Sequence, residues 1–452
     1  MRSLSIGLLL SLFISACSPS LRIQNQIKKD LQSHRYAQAD LLVEKNKNDY
    51  GGRNIVLYYL DRGLLLHLAG RYRESNAFFE KADLEMDRLY TQSVATHLGA
   101  LLTNDKLLPY EGEDFEKVLV PLFSALNYAM MGEWDEALVE ARRVDARLNL
   151  LNDRHAKKNV YKSDALARYL SGLLYEARGE ENDAFIAYRL AYEAFRDYQR
   201  DYRSPIPYRL GQDLLRLTDA LHLEAESEFY KKAFSEAFSR RPMEQAQHAE
   251  EGTPQGELVV LAYSGRAPVK EEFFIHAPIP DGEGGIYLLR IVAPKFVAAK
   301  TQVNSVEVVL RRGRETSHLR LDLMEDISAI AIKNLEDRVG RMTVKAVARA
   351  TSKYIATRAA RREARARGGE PADFLVALLG NLYGLASEQA DLRSWQSLPG
   401  RLYLGRISLP EGIWEAEVRY MSPGGGLAEV RRFSDIRIEG RKKTFLIAQS
   451  AY

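Results

Sequence analysis

The chain has 452 residues, of which 46% are hydrophobic and 28% charged, and its formal net charge is +3. This length is sufficient for two or three domains, and the composition is that of an ordinary globular protein. A charge of +3 gives no support for nucleic-acid binding, and the single cysteine, Cys17, excludes an intramolecular disulfide.

Residues 1–16 predict a secretory signal peptide, with a positive Arg2 and an apolar run that ends at Ile14. The run is shorter than the ~20 residues that cross a bilayer. The following Ser15-Ala16-Cys17 resembles the bacterial lipobox, although Ile14 stands where Leu is usual. We therefore expect cleavage before Cys17 and acylation of that residue; the alternative is an ordinary signal peptide. Ser18 resembles the residue that sends Gram-negative lipoproteins to the outer membrane.

Residues 17–240 predict an all-α domain built from repeated helix pairs. Gly63–Ala82, GLLLHLAGRYRESNAFFEKA, has a pattern of small and aromatic residues that recurs from Ala125 and from Gly172. Glycine in the middle of each repeat predicts a left-handed helix end. The pattern resembles the tetratricopeptide repeat (TPR), which stacks into a solenoid, but its spacing exceeds the usual ~34 residues. An irregular helical bundle is the alternative.

Two further segments extend this interpretation. Tyr36, Ala39 and Val43 match part of the pattern and predict a leading repeat, while residues 205–238 predict a closing helix pair. Asp114 is a predicted N-cap for the helix of the second repeat. The acidic segment around it is either structural or a loop that receives a basic partner. Its candidate partner-binding residues are Tyr110, Glu111, Glu113, Asp114 and Phe115.

Residues 241–257 are polar, contain Pro and Gly, and predict a linker. The period then becomes alternating, which predicts a β-rich domain over 258–452, either β-sandwich-like or α+β, with a helical insertion at about 324–390. The predicted strands are 257–263, 272–278, 285–292, 303–312, 401–409, 413–421, 428–434 and 443–449.

The predicted insertion contains two unusual stretches. The first is RAARREARAR, which is either solvated helix or a contact for lipid head groups or an acidic partner. Its arginines are Arg358, Arg361, Arg362, Arg365 and Arg367. The second, 371–390, is largely apolar and is either a core helix or a helix that rests on a membrane or partner.

No motif predicts catalysis. The sequence has no H-E-x-x-H, no G-x-S-x-G and no phosphate-binding glycine loop, and we predict no catalytic residue, metal or cofactor. Paired carboxylates of a hydrolase cannot be recognised without a fold.

Three further stretches are informative: PYEGEDFEKVL (109–119), WDEALVEARR (134–143) and ADLRSWQSLPGRLYLGRISLP (390–410). Together with the lipobox and the repeats, they resemble a family of uncharacterised bacterial lipoproteins with TPR-like repeats. The resemblance implies a location and an architecture but no activity.

The sequence therefore predicts a lipoprotein, most simply in the outer membrane and facing the periplasm, that is anchored through Cys17. We expect its repeats to bind an envelope protein or peptide and to scaffold an envelope complex. Nucleic acid and small molecules are not expected partners. The alternative is a cell-wall (peptidoglycan) hydrolase or other envelope enzyme with its site in the C-terminal domain.

Overall fold

The computed structural model describes residues 21–95, 108–154, 161–241, 254–280, 286–338 and 390–451. Cys17, the predicted signal peptide and the stretches 358–367 and 371–389 lie outside these residues.

The N-terminal half, residues 21–241, is helical throughout its described part. Its helices are α1 (Leu21–Gln32), α2 (Tyr36–Lys45), α3 (Lys47–Tyr50), α4 (Ile55–Leu68), α5 (Tyr72–Ala95), α6 (Asp114–Met131), α7 (Trp134–Arg154), α8 (Ala165–Ala177), α9 (Glu181–Tyr202), α10 (Tyr208–Ala220), α11 (Glu224–Ala233) and α12 (Ser235–Arg240).

Five helix pairs are joined by short turns and pack as hairpins: α1–α2, α4–α5, α6–α7, α8–α9 and α10–α11. The predicted TPR-like helix pairs are confirmed, including the leading pair and the closing pair. Below, α1, α4, α6, α8 and α10 are the first helices, and α2, α5, α7, α9 and α11 are the second helices.

Small residues allow the two helices of a pair to approach closely. A Cβ on Gly63 would lie 2.5 Å from the Phe79 ring, and one on Gly172 would lie 2.3 Å from the Tyr188 ring. The glycines that end the first helices have positive φ, as predicted; they are Gly70, Gly132 and Gly179. Glycine adopts this conformation without the steric cost that other residues carry.

The C-terminal half contains nine described strands and one described helix. The strands are β1 (Gln255–Ser264), β2 (Val269–Pro280), β3 (Ile286–Val297), β4 (Ser305–Arg312), β5 (Glu315–Asp326), β6 (Arg401–Pro410), β7 (Gly412–Met421), β8 (Leu427–Ile438) and β9 (Lys443–Gln449). A helix, α13, follows β5 over 327–338.

Seven strands form one sheet in the order β8-β7-β4-β5-β6-β1-β9, in which only the β1–β9 pair is parallel. All eight predicted strands are present, but the sequence analysis missed β5. Its Leu319, Leu321 and Leu323 alternate with polar residues, so the period-two signal was available. The predicted helical insertion accordingly starts at 327 and not at 324.

The sheet has an apolar core on each face, as the alternation of β1 illustrates. Val259, Leu261 and Tyr263 belong to a core shared with the helices, while Leu258, Val260 and Ala262 belong to the second core. The edge strands β8 and β9 contact each other, so the sheet curves around the second core. The C-terminal half is therefore β-rich, as predicted, with helices packed on one face of its seven-stranded sheet.

Strands β2 and β3 form a separate two-stranded ribbon. Its root packs on the helical half: Lys270 and Phe296 are buried, and the Phe296 ring lies 5.9 Å from that of Phe115. Further along the ribbon Phe274 is exposed.

The helical half and the sheet share one core. Tyr263, Met324 and Trp395 of the C-terminal half belong to the same buried cluster as Phe123 and Tyr188 of the helices. In the described residues, the two predicted domains therefore share a buried core. β1 also starts at Gln255, inside the predicted linker.

In the described part of the chain, no helix combines the length and the hydrophobicity that crossing a bilayer requires.

Candidate functional site

The face formed by the first helices receives a segment of the C-terminal half, residues 390–400. Trp395 of this segment is 1% exposed. Its ring lies 5.9 Å from that of Phe79 and 6.0 Å from that of Phe123. The chain thus places its own aromatic anchor between the helices of two neighbouring pairs.

Two acidic side chains of the helical half accept hydrogen bonds from this segment. Glu116 accepts the backbone N–H of Trp395 at 2.7 Å and the hydroxyl of Tyr110. Asp61 accepts the hydroxyl of Ser397 at 2.6 Å. Burial raises the pKa of Glu116, and burial raises the pKa of Asp61 to about 6.

The predicted partner-binding segment lies at this same place and is largely buried. Tyr110, Glu113, Asp114 and Phe115 are all less than 9% exposed, while Glu111 is partly exposed. The burial fits the structural alternative for this segment, because the chain's own C-terminal half covers it.

The basic groups that meet this segment come from the same chain. Glu113 pairs with Lys270 of β2 and with Arg338 of α13. It is also the N-cap of α6, where it forms a capping box with Glu116, so the predicted N-cap at Asp114 is one residue too late. The acidic segment therefore has its basic partners within the same chain.

A buried histidine connects the helices to β1. His67 Nδ1 lies 2.6 Å from Asn127 Oδ1, and its Nε2 lies 2.9 Å from the Tyr263 hydroxyl. The Asn127 amide donates to Ser75 and Asn76, so its oxygen accepts from Nδ1–H and leaves Nε2 to accept from Tyr263. Burial lowers the pKa of His67 to about 4.

The contact between the helical half and the sheet, called the join below, includes a charged cluster at α8 and α9. Arg406 of β6 is 4% exposed and donates to Glu176 at 2.6 Å and to the Tyr188 oxygen at 2.9 Å. It also pairs with Glu257, as does Lys443. Burial alone would raise the pKa of Glu176, but Arg406 and Lys443 hold that pKa well below its usual range.

A third buried contact joins β5 to α9, beside the N-terminus of α8. Glu325 accepts the Tyr198 hydroxyl at 3.0 Å, and Asp164 caps α8 by accepting the N–H of Ala167 at 2.7 Å. Burial and then the charge of Asp164 raise the pKa of Glu325 well above its usual range. These two carboxyl groups are sealed inside the join, so they do not offer a substrate-accessible acid–base pair.

In the described ranges, no group of three or more His, Cys, Asp and Glu side chains is arranged so that it could hold a metal ion.

The face formed by the second helices carries a cleft of about 300 Å³ between α5, α6 and α7. Its lining residues include Asn76, Ala77, Glu80, Ser124 and Glu140. The cleft is polar and open to solvent, in contrast to the filled first-helix face.

Several predicted site residues lie outside the described ranges, namely Cys17, Arg358, Arg361, Arg362, Arg365 and Arg367. The sequence analysis also missed two residues that form the join, Trp395 and Arg406. Arg406 follows Leu402 and Leu404 on one face of β6, and an arginine on a buried strand face requires an acidic partner. That signal was available, although its partner, Glu176, lies far away in sequence.

No protein-family model and no curated protein sequence matches the chain. Solved structures that resemble it include MamA (17% identity, 50% of this chain, 96% of that chain, TM-score 0.31). A Podosopora anserina protein with nearly identical TPR-like repeats has 12% identity, 49% and 96% coverage, and TM-score 0.32. BtubC from P. vanneervenii has 11% identity, 51% and 84% coverage, and TM-score 0.34. At these values the assignment of helix pairs rests on the geometry of this chain.

Proposed function

We propose that this protein is a scaffold that binds a protein partner in the cell envelope while a lipid on Cys17 tethers it to the outer membrane, facing the periplasm. Tethering raises the effective concentration of anything that the repeats bind. The scaffold is expected to act in the assembly or regulation of an envelope complex.

One observation carries the proposal. The helix pairs form an extended array whose first-helix face is filled by the same chain, while the second helices remain exposed along their outer sides. Stacked helix pairs commonly offer extended surfaces to protein partners. The buried carboxyl groups of the join suit a structural role.

The tether is tested in a Gram-negative host by fractionation and by the mass of the mature N-terminus. Cys17→Ser should give an unlipidated protein in the soluble fraction, and continued membrane association would contradict the anchor. Ser18→Asp is the matched variant: it should keep the lipid but move the protein to the inner membrane.

Partner binding is tested in intact cells with a photo-crosslinking residue placed at exposed positions. Val139 and Ile186 sample the second-helix face, and Ile413 and Leu427 sample the sheet. A specific ultraviolet-dependent adduct from either set supports a scaffold. Absence of adducts from all four positions would contradict it.

A further inference from the structure

Each helix pair turns at one residue with a left-handed backbone, which allows the five pairs to be aligned. These residues are His34, Gly70, Gly132, Gly179 and His222, with φ between 56° and 78°. Seven positions later on the second helix lie Leu41, Ala77, Val139, Ile186 and Phe229. We call these five residues the apolar row.

The row is exposed. Leu41 is 50% exposed, Val139 54%, Ile186 38% and Phe229 53%. Single exposed apolar residues are common on soluble proteins. Here, however, four of the seven exposed large hydrophobic residues in the described helical half share one position of the repeat.

Packing within the pair does not explain the row. The residue two positions earlier is buried in every pair: Ala39, Ser75, Ala137, Ala184 and Ser227. Two residues correspond to about 200° around an α-helix, so the row points away from the first helix.

Charged residues flank the row on α5, α7, α9 and α11. Three positions before it lie exposed acids, namely Glu74, Glu136, Asp183 and Glu226. Three or four positions after it lie exposed bases, namely Lys81, Arg142, Arg189 and Lys232. Acids in a first turn suit the helix dipole, but Arg142 and Arg189 lie well before the ends of α7 and α9. The dipole therefore does not account for those two bases, of which Arg142 also donates to the Tyr175 hydroxyl at 2.6 Å.

The row is recessed at Ala77, its smallest member, where the cleft of about 300 Å³ opens. Asn76 beside it accepts from Asn127 at 2.6 Å, while its own buried amide nitrogen has no hydrogen-bond partner. An unpaired buried donor is costly unless an acceptor reaches it. The cleft thus has room for a large side chain.

We infer that the second-helix face binds an amphipathic helix of a partner protein, laid across α5, α7, α9 and α11. Apolar residues of that helix contact the apolar row, and a bulky residue enters the cleft beside Ala77. Its basic flank faces the acids and its acidic flank faces the bases. This inference deepens the proposed scaffold function and rests on it.

The test uses the full chain and a synthetic amphipathic helix of about 28 residues, ~42 Å long. The peptide carries Leu on one face, Lys along one flank and Glu along the other. Fluorescence anisotropy should show saturable binding. The variant V139S/I186S/F229S should bind at least about tenfold more weakly. The control L84S/L150S, which removes exposed leucines of α5 and α7 outside the row, should stay within about twofold.

Two further measurements address the flanks and the cleft. A peptide helix can bind in either direction, and exchanging its two flanks would only reverse that direction. The control peptides therefore carry Lys on both flanks or Glu on both flanks. Each should bind at least about fivefold more weakly at low salt. Ala77→Trp should weaken binding by filling the cleft, whereas Leu84→Trp should not.

Absence of saturable binding, or equal affinities for the row variant and its control, would overturn the inference. All substituted positions are exposed, and an unchanged melting temperature verifies folding. If crosslinks form only from Ile413 or Leu427, the scaffold stands and the row fails. If no crosslinks form from any position, the scaffold itself fails.

Discussion

The two faces of the helical half use similar residue types in opposite ways. On the first-helix face, charged groups such as Arg406, Glu176 and Glu113 are buried and paired within the chain. On the second-helix face, charges such as Glu136 and Arg189 stay in solvent and follow the repeat. Of these two helical faces, as far as the structure describes them, the second-helix face is therefore the one left open for a partner.

The difference also shows where binding energy resides. Burying a charge requires a partner in fixed geometry, so residues of the join are specific to one contact. Exposed residues at a repeated position contribute little to stability and can serve an extended ligand. Substitutions on the two faces should therefore differ strongly in their effect on stability.

Arg406→Ala should lower the free energy of unfolding by up to about 5 kcal/mol, because Glu176 and Glu257 share two cations, Arg406 and Lys443, and the substitution removes the more deeply buried one. Denaturant unfolding measures this change. Arg432→Ala on β8, whose side chain is 78% exposed, is the control and should change stability by less than about 0.5 kcal/mol. Equal small effects would mean that the join is not held by charge.

Trp395→Ala should cost about 3–4 kcal/mol through lost packing against Phe79 and Phe123. Ile413→Ala, at an exposed position of β7, is the matched truncation and should be nearly neutral. A Trp395 variant as stable as the Ile413 variant would refute the anchor in the first-helix face.

His67 should make the join sensitive to acid. Its folded pKa of about 4 lies below the unfolded value of ~6.5, so the unfolded state binds the proton first as pH falls. The contribution of His67 to stability should therefore fall by about 3 kcal/mol between pH 6.5 and pH 4. Asp61, with its pKa of about 6, acts in the opposite direction, since its contribution is lost as pH rises through 6.

The His67 contribution is isolated by comparing wild type with His67→Gln across this range. The variant should be less stable at pH 7, but it should lose the acid-dependent decrease that His67 causes. Identical pH profiles would show that His67 is not the titrating group.

Gly179→Val should cost about 1–2 kcal/mol, because φ of +78° disfavours a residue with a Cβ although no neighbouring atom lies within 4 Å. Gly424→Val, which has open space and no positive φ, is the control. Thermal unfolding should separate the two variants by several degrees. An unchanged melting temperature for Gly179→Val would refute the left-handed cap.

Local patterns predicted much of this architecture. Spacing around Gly63 and Gly172 predicted the helix pairs because contacts within a pair are close in sequence. The join was not predictable in the same way, since His67 meets Tyr263 and Arg406 meets Glu176 across long stretches of chain. The acidic residues 111–116 suggested a basic partner. Their sequence alone does not reveal that Lys270 and Arg338 of the same chain provide the basic groups.

Cutting the intact protein tests the central claim most directly. A protease site placed within residues 242–253, followed by cleavage under native conditions and gel filtration, asks whether one core holds both halves. The shared core predicts that the two fragments co-elute as one folded species and unfold in a single transition. Separate elution of two independently folded fragments, each with its own transition, would contradict it.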